Sequence, residues 1–540
     1  MQTHESDLCI VGGGISAALI SQKLSELAPD ATVTVIEAGD RFFDLRARGR
    51  NRRRWLDYRE NAWPGDFIED QEADGIISRT MAVGGSALHW GGVCNRFSRE
   101  DLELHSRYGL AVDWPIEWAE FERYTCEAER RLGVQGEEAP YPEDRPSTPY
   151  PMPAMPLSYN LQQLKGWAEK SGIRFQGTPE AKNTVPYDGR SVCMRCNTCT
   201  VCPTGARYSP DFTFRKLLDE GRLTLHDRTL IRKLIPDESG SRIVAARGLH
   251  RDRPDEEVEY RAPIFAIASG YVWSSHLLLL SASARFPDGL ANRSGLVGRY
   301  LTGHSFVSAI METDTRLYPG MMSHSLVSRE FFRCPSDRPF VRHDLRVWEN
   351  EYGQGPRLRD DSGSVLLGDD LLEDWRSRTR RGIARVRAYY DVHPARDSAL
   401  TLDPNRRNRY GDPLPRVEHH LDEPTRAREA ATREHILGVF GRLADDRAIL
   451  DTQYSTYLDH PCGGCRMGTD PSESVCDSFG RTHDHENLFV VGASTLPTGG
   501  CTNGTLTFSA LTLRSAEEIG RDLGWKPAET ELPLSRSEGP

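Results

Sequence analysis

The sequence has no apolar run of the roughly eighteen residues that a membrane-spanning helix needs, so no span is expected. It also lacks a dominant charge. The 68 Lys and Arg against 79 Asp and Glu leave −11 over 540 residues, too mild a field to favour nucleic acid as a partner. A neutral or cationic substrate suits that balance better. Lysine is scarce beside arginine, which reflects coding composition more than chemistry. Room for a secretory signal is missing too, because the first strand pattern already begins at Asp7; the chain reads as cytoplasmic. Twelve cysteines in that compartment are not expected to form a disulfide framework. What is present, 38% hydrophobic and 27% charged residues, is the make-up of a globular protein, long enough for roughly two to four domains.

The stretch from Asp7 to Glu37 carries the first functional signal. Leu8-Cys9-Ile10-Val11 is a short apolar run suited to a strand buried on both faces. Gly12-Gly13-Gly14-Ile15-Ser16-Ala17 then fits G-x-G-x-x-G/A, and Leu19, Ile20, Leu24 and Leu27 carry a helical pattern. A second apolar run, Thr32 to Ile36, ends in Glu37. Strand, glycine turn, helix, strand and acid within about thirty residues make a dinucleotide-binding unit. Gly12 makes the tight turn, Gly14 lets backbone approach a pyrophosphate, and Ala17 keeps the helix close to the sheet. The helix N-terminus offers free N–H groups to the anion, and Glu37 can accept from a ribose hydroxyl. A glycine-rich turn that binds nothing is the alternative; both strands and the acid in register favour the dinucleotide. On these residues alone the ligand is FAD or NAD.

The run Arg46 to Arg54 is strongly basic and reads as a solvated loop, with a place near the cofactor as the alternative because it follows the ribose-binding acid. Between Met81 and Gly92, four glycines separated by small residues make a loop that lets backbone approach a flat ligand. This loop, VGGSALHWGG, resembles the second flavin-contacting loop of the glucose–methanol–choline (GMC) family of FAD-dependent oxidoreductases. In pyranose oxidases and choline oxidase of that family, a histidine four residues after the Gly-Gly pair carries a covalent link to the flavin. His89 stands at that spacing from Gly85. The resemblance implies FAD as cofactor, contacted by Gly12, Gly14, Ala17 and Glu37 and by Gly84, Gly85, Ser86, His89, Trp90 and Gly92. A covalent bond through His89 and a merely adjacent His89 are its two alternatives. Trp114-Pro115-Ile116 and the helical stripe Phe121, Tyr124, Ala128 and Leu132 also look like a GMC segment, with core packing as their role. Ala139 to Pro156 is a Pro-rich connection.

Four cysteines follow in three C-x-x-C steps, Cys193, Cys196, Cys199 and Cys202, the last before Pro203. The run resembles iron–sulfur ligands, although the bacterial ferredoxin pattern has three residues before its last Cys. Sugar dehydrogenases of the GMC family hold an iron–sulfur cluster on some cysteines of this segment, at a different spacing. Three readings stand: an iron–sulfur centre, a zinc knot, and a cysteine-rich turn packing as small apolar residues.

Ile264 to Ala268, Ser269-Gly270 and the apolar helix Trp273 to Leu280 form a second strand–glycine–helix unit, which the resemblance places on the adenosine side of FAD. Gly289 to Asn292 and Val297 to Leu301 match the family's "GLxN…VGRxL" link, with His304 three residues on. Thr315 to His420 alternates short apolar runs with polar loops, and the resemblance implies an antiparallel substrate-binding sheet of six-stranded type there. Ala399 to Leu402 and Tyr410 to Pro413 fit one strand and its turn.

The segment beginning His460-Pro461-Cys462 and running to Asp470-Pro471 matches the family's "HxxGTCRMGxDP", whose histidine is catalytic. That role falls on His460. Downstream, Leu488 to Val491 leads into Gly492-Ala493-Ser494, and Gly499 to Thr507 opens a helix. The second catalytic partner of the family, a His or Asn, matches Asn503. Gly492, Ala493, Thr505 and Leu506 are implied as cofactor contacts, with helix N–H groups facing the flavin pyrimidine. The family often has Asp at Gly492 and Pro at Gly504. Cys462-x-x-Cys465 reads as packing rather than a redox or zinc pair. The chemistry suits these types. An alcohol is a poor acid at neutral pH, so a histidine on its oxygen helps by roughly 10²–10⁴ in rate while the hydride leaves for flavin N5. Asn503 can donate to the developing alkoxide.

The expected architecture is α/β: a Rossmann-like FAD-binding domain of residues 1–110, 186–304 and 440–525, with an inserted antiparallel β-sheet substrate domain and cap of 111–185 and 305–439. Residues 526–540 would form a flexible tail. The His89-Trp90 loop resembles pyranose oxidases and sugar dehydrogenases more than the methanol- or cholesterol-type members of the family, which implies oxidation of a CH–OH group of a sugar, aminosugar or glycosylated natural product to a carbonyl, with O2 as acceptor. A dehydrogenase using a non-O2 acceptor through an iron–sulfur centre at Cys193–Cys202 is the alternative. A non-catalytic flavin-binding interaction subunit is the reading of another class, opposed by intact His460 and Asn503. The expected partners are a small-molecule alcohol and O2 or an external electron acceptor.

Overall fold

The computed structural model describes residues 2–43, 80–139, 141, 147–196, 199, 202–318, 324–334, 340–349, 357–360, 362–378, 382–455 and 458–526. The basic run Arg46 to Arg54 and residues 527–540 of the expected tail lie outside the described residues.

Leu8–Val11 is the middle strand of a five-stranded parallel sheet. Val33–Ile36 and Ile264–Ile267 flank it, with Thr224–His226 and Leu488–Val490 at the edges. An apolar run without alternation forms this strand because both of its faces are covered. Leu8 and Ile10 pack with Ala17, Ala18 and Ile20 on the helix Ile15–Leu27 and with Ala516 and Ile519 of the helix Thr505–Asp522. Cys9 and Val11 point the other way, onto Ile231, Leu234, Ile243 and Tyr260. Each such buried aliphatic side chain contributes roughly 1.5–3 kcal/mol.

That second face belongs to a four-stranded sheet in the order Gln2–Glu5, Arg253–Arg261, Ile243–His250 and Thr229–Pro236. The polar tetrapeptide Gln2–Glu5 carries no strand periodicity. It is an edge strand held by parallel pairing to Val258–Arg261 and by stacking of His4 on Tyr260, with centroids 5.1 Å apart.

The antiparallel sheet has seven strands rather than six. Its path runs Ile449–Tyr454, Thr302–Glu312, Ile383–Asp391, Leu345–Glu349, Leu326–Ser328 and Gln176–Gly177, and Asp459–Cys462 pairs beside the first of these on Thr302–Glu312. The helices Tyr159–Glu169 and Glu423–Ala444 cover one face, burying Leu164, Trp167, Ile436 and Phe440 against Val307, Val347 and Val386. The expected boundary at 440 falls inside Glu423–Ala444, and the sheet continues to Tyr454. The helix Trp118–Leu132, expected with the substrate half, buries Phe121, Tyr124, Ala128 and Leu132 with Leu506, Ala510 and Leu513 of the last helix. Ion pairs Lys23–Glu127 at 2.8 Å and Arg131–Glu26 at 2.7 Å tie it to the first helix. Ala399–Arg407 and Pro413–Glu418 form a separate hairpin outside the large sheet. It lies over the helix Gly270–Leu280 through Leu400 and Val417, and Asp412 pairs with Arg232 at 2.6 Å. Among the described residues no helix is long and apolar enough to cross a membrane.

Candidate active site

A cavity of about 430 Å³ runs from Gly12, Gly14 and Glu37 past the glycine loop to His460 and Asn503. Its two ends are built differently.

At the glycine end the backbone makes the walls. Gly12 has φ +107°, and a Cβ there would stand 2.6 Å from the carbonyl oxygen of Ala268, so only glycine lets the two turns meet. Gly14 faces open space, with nothing within 4 Å of an added Cβ. It caps Ile15–Leu27 without a side-chain hydrogen bond, which leaves first-turn N–H groups for an anion. The last helix opens at Gly504 in the same uncapped way. Glu37 accepts from the N–H of Gly13 at 2.7 Å and of Gly39 at 2.8 Å. Burial pushes its carboxyl up to about 7, against the lowering effect of these bonds. The second glycine loop is latched by the Gly84 N–H donating to the Gly13 carbonyl at 2.8 Å. Gly85, Ser86, His89 and Trp90 line the cavity, as do Gly492, Ala493 and Thr505. Gly84 and Gly92 are not on its wall, and Ala17 and Leu506 are in the cores behind it. Ala17 thus sits where close helix–sheet packing needs a small side chain. Gly492 has φ +91° and ψ −156°, a region essentially restricted to glycine. The glycine that stands here in place of the family's Asp suits that conformation. A glycine-walled cavity with two uncapped helix starts fits FAD.

At the far end side chains do the work. Thr302 pairs with Cys462 and His304 with Asp459, so three steps on one strand oppose two on the other. This bulge holds His460 at φ +47°, an uncommon conformation for a residue with a Cβ, and re-aims its ring. His460 Nε2 stands 2.6 Å from Asn503 Nδ2, and its Nδ1 stands 2.7 Å from His304 Nε2. Behind Asn503, Arg346 donates to its Oδ1 and pairs with the buried Asp344 at 2.6 Å. Tyr389 donates to Asp459 at 2.9 Å. Burial lowers the His460 imidazole below its ordinary value, while the Asp459 charge opposes the shift. His304 is pushed much further down by burial and by its histidine neighbour. Burial alone would raise the Asp459 carboxyl, but the two histidines and the Tyr389 hydroxyl hold it well below the usual carboxylate range. The site therefore presents a neutral imidazole next to a fixed negative charge.

Sequence reasoning brought His460 and Asn503 together and missed most of their surroundings. His304 entered only as the end of the Val297–Leu301 link. Asp344 and Arg346 were passed over, yet charges two apart share one face of a strand whose Leu345 and Val347 are buried. Charges at alternate positions of a buried strand are a signal that could have found them.

Among the described residues no cysteine is joined in a disulfide. No group of three or more His, Cys, Asp or Glu side chains among those residues stands together as a metal site, so the arrangement of Cys193, Cys196, Cys199 and Cys202 lends a cluster or a zinc ion no support. Cys202 is buried and its sulfur accepts from the Arg207 N–H at 3.5 Å. The Arg207 guanidinium in turn donates to the carbonyls of Leu88, at 2.6 Å, and Trp90 on either side of His89. The cysteine loop is thereby braced against the glycine loop. Cys462 and Cys465 are both buried in apolar cores.

A dinucleotide sheet, a glycine-walled cavity and a histidine at its end are the parts a flavin-dependent oxidoreductase requires. Comparison with known proteins bears this out. A family model described as GMC oxidoreductase matches residues 391–512. The fructose dehydrogenase large subunit of Gluconobacter japonicus is 30% identical, over 97% of this chain and 99% of that protein. Paromamine 6'-oxidase of Streptomyces fradiae is 28% identical over 96% and 92%, and 2-methyl-1,2-propanediol dehydrogenase of Mycolicibacterium austroafricanum 27% over 96% and 95%. Among solved structures, pyridoxine 4-oxidase from Mesorbium loti superposes with a TM-score of 0.62 at 18% identity, covering 95% of this chain and 99% of that one. Formate oxidase of Aspergillus oryzae RIB40 gives 0.64 at 15%, covering 97% and 100%; both likenesses concern the fold. The chain belongs to the GMC oxidoreductase family. It is an FAD-dependent enzyme that oxidises the CH–OH group of a small alcohol and passes the electrons to an external acceptor.

Proposed function

We propose that the substrate is a sugar, aminosugar or glycosylated natural product, that His460 is the base, and that Asn503 is its partner on the substrate oxygen. The observation that carries the catalytic pair is the 2.6 Å approach of Asn503 to His460, 43 residues apart in sequence, on the wall of the cavity that begins at the glycine turn; the fructose dehydrogenase and paromamine 6'-oxidase relatives support the substrate class. FAD, when bound, supplies the acceptor for the hydride. The chain supplies the rest. Neutral His460 takes the hydroxyl proton at Nε2, and the Asn503 Nδ2–H group donates to the oxygen as negative charge develops there. Asp459 then steadies the protonated ring. Gly12, Gly14, Glu37, Gly85, Ser86, Trp90, Gly492, Ala493 and Thr505 would hold the cofactor. His89 lines the same cavity, which supports it as the covalent anchor. Cysteines outside any disulfide suit a reducing compartment and support a cytoplasmic location.

For the acceptor we propose O2, in line with the paromamine 6'-oxidase relative. A non-O2 acceptor reached through an iron–sulfur centre at Cys193–Cys202 is the second reading. The 30% identity to fructose dehydrogenase large subunit and the Arg207 brace favour it, and the present arrangement of the thiols does not.

The test offers D-fructose, paromamine and 2-methyl-1,2-propanediol to anaerobic holoenzyme and follows loss of the flavin band. Bleaching by either of the first two, with peroxide released on admitting air, is the expected result. Bleaching by the diol alone would overturn the substrate class. Bleaching without peroxide, in protein that carries stoichiometric iron, would replace O2 by the second reading. Yellow colour retained in an acid pellet is expected if His89 is bonded to the flavin, and a colourless pellet removes that bond.

A further inference from the structure

We propose that Arg346 is a positioning residue: it fixes the side-chain amide of Asn503 and, through it, which ring nitrogen of His460 carries the proton. The inference rests on the proposed roles of His460 and Asn503.

Arg346 lies on the strand Leu345–Glu349, within the seven-stranded sheet, and is almost completely buried. Its Nε donates to Asp344 Oδ2 at 2.7 Å, and its Nη2 donates to Thr502 Oγ1 at 3.1 Å and to Asn503 Oδ1. The arrangement is held from several sides. Asp344 accepts from the Tyr389 N–H at 2.8 Å and from the Thr502 hydroxyl at 3.2 Å, and Asn95 donates to that hydroxyl at 3.0 Å. The guanidinium also lies over the Tyr389 ring, 4.8 Å from its centroid.

The consequence follows from donor and acceptor counting. A guanidinium has donors only. It therefore takes the oxygen of the Asn503 amide, and the other orientation would set an NH2 group against a cation. With Oδ1 committed to Arg346, the Nδ2–H group faces His460 Nε2 at 2.6 Å and calls for a lone pair there. The ring proton of neutral His460 is left at Nδ1, where it donates to His304 Nε2 at 2.7 Å. An alcohol entering between Asn503 and His460 then meets a donor and a lone pair, which is the pattern proton removal requires. If the amide turned over, its oxygen would favour a proton on Nε2 and block the base.

The groups facing His460 are Asp459 on its own strand, His304 on Thr302–Glu312, Arg346 with Asp344 beside it, Arg387 and Tyr389 on Ile383–Asp391, and Asn503 at the start of the last helix. Loss of Arg346 removes a positive charge and frees the amide. Both changes raise the His460 pKa.

The test is a double-mutant cycle between Arg346→Met and Asn503→Ala in FAD-loaded protein, with two readouts. One is flavin reduction by D-fructose. The other needs no substrate: the pH midpoint at which His460 reacts with diethylpyrocarbonate, measured by peptide mass spectrometry. R346M is expected to slow flavin reduction roughly 10- to 100-fold with KM little changed, and to raise the midpoint by about one pH unit. In the N503A background the same substitution is expected to slow reduction less than about 3-fold, because its route to the base is gone. Should R346M not fold, Arg346→Lys keeps the charge that Asp344 needs but loses the fork, and about a 3- to 10-fold slowing confined to the Asn503 background is expected. Equal losses in both backgrounds, or an unmoved midpoint in R346M, would overturn the proposal. If D-fructose is not oxidised, the midpoint alone decides. N503A that reduces its flavin at the wild-type rate would instead sink the proposed role of Asn503.

Discussion

The two ends of the cavity differ in what they are made of. At the glycine end, short segments present backbone: a turn, two helix starts and a latch from Gly84 to Gly13. At the catalytic end, His304, Arg346, Tyr389, His460 and Asn503 converge from four separate strands and one helix start, and they meet one another through side chains. Backbone sites fail through sterics and take the cofactor with them. Side-chain sites fail through proton position and leave the cofactor in place.

The strongest way to break this comparison is Gly12→Val. A branched side chain at φ +107°, where even a Cβ would be 2.6 Å from the Ala268 carbonyl, is expected to lower stability by about 3 kcal/mol or more and to yield protein without FAD; thermal melting and the absorption spectrum check both. His460→Ala comes next. It is expected to keep FAD and to reduce it roughly 10²–10⁴-fold more slowly with substrate. FAD lost from H460A would show that the two ends are not separable.

A smaller change sharpens the electrostatic side. Because burial lowers the His460 pKa below 6.5, the neutral base is already present at pH 7, and activity should fall only as pH drops through a midpoint below 6.5. The Asp459 charge raises that pKa, so Asp459→Asn removes the opposition and is expected to move the acid limb of kcat/KM down by about one pH unit. An upward move would mean that Asp459 does not act on His460 by charge. The smallest effect belongs to Gly504→Ala. Here φ is −80°, and an added Cβ meets Leu496 at an ordinary 3.6 Å. Calorimetry is expected to find about 0.4–1 kcal/mol of added stability, through a stiffer unfolded chain.

The same difference decided what could be read from the sequence. The Leu8–Ile36 unit was legible because its strands, turn and helix are neighbours in the chain and each is fixed by local periodicity. Gln2–Glu5 was not, since a polar edge strand owes its conformation to pairing with Val258–Arg261. His460 and Asn503 were legible through a family motif. The alternating charges of Asp344 and Arg346 were a local signal, but their place beside Asn503 needed the register between Leu345–Glu349 and Ile383–Asp391, which no local pattern reports. The helix Trp118–Leu132 showed its apolar stripe but not its partner, because a stripe says that something covers it and not which helix does.

The five-stranded sheet also sets a timetable. Leu8–Val11 is made some 250 residues before its neighbour Ile264–Ile267, and that strand's other neighbour, Leu488–Val490, closes the edge last. At a synthesis rate of roughly 5–20 residues per second, the span from Leu8 to Leu488 takes on the order of 25–100 s. Through that interval the glycine turn has neither its completed sheet nor the last helix beneath it. FAD can therefore be enclosed only after the segment Leu488 to Thr505, which completes the sheet and opens the last helix, has been made.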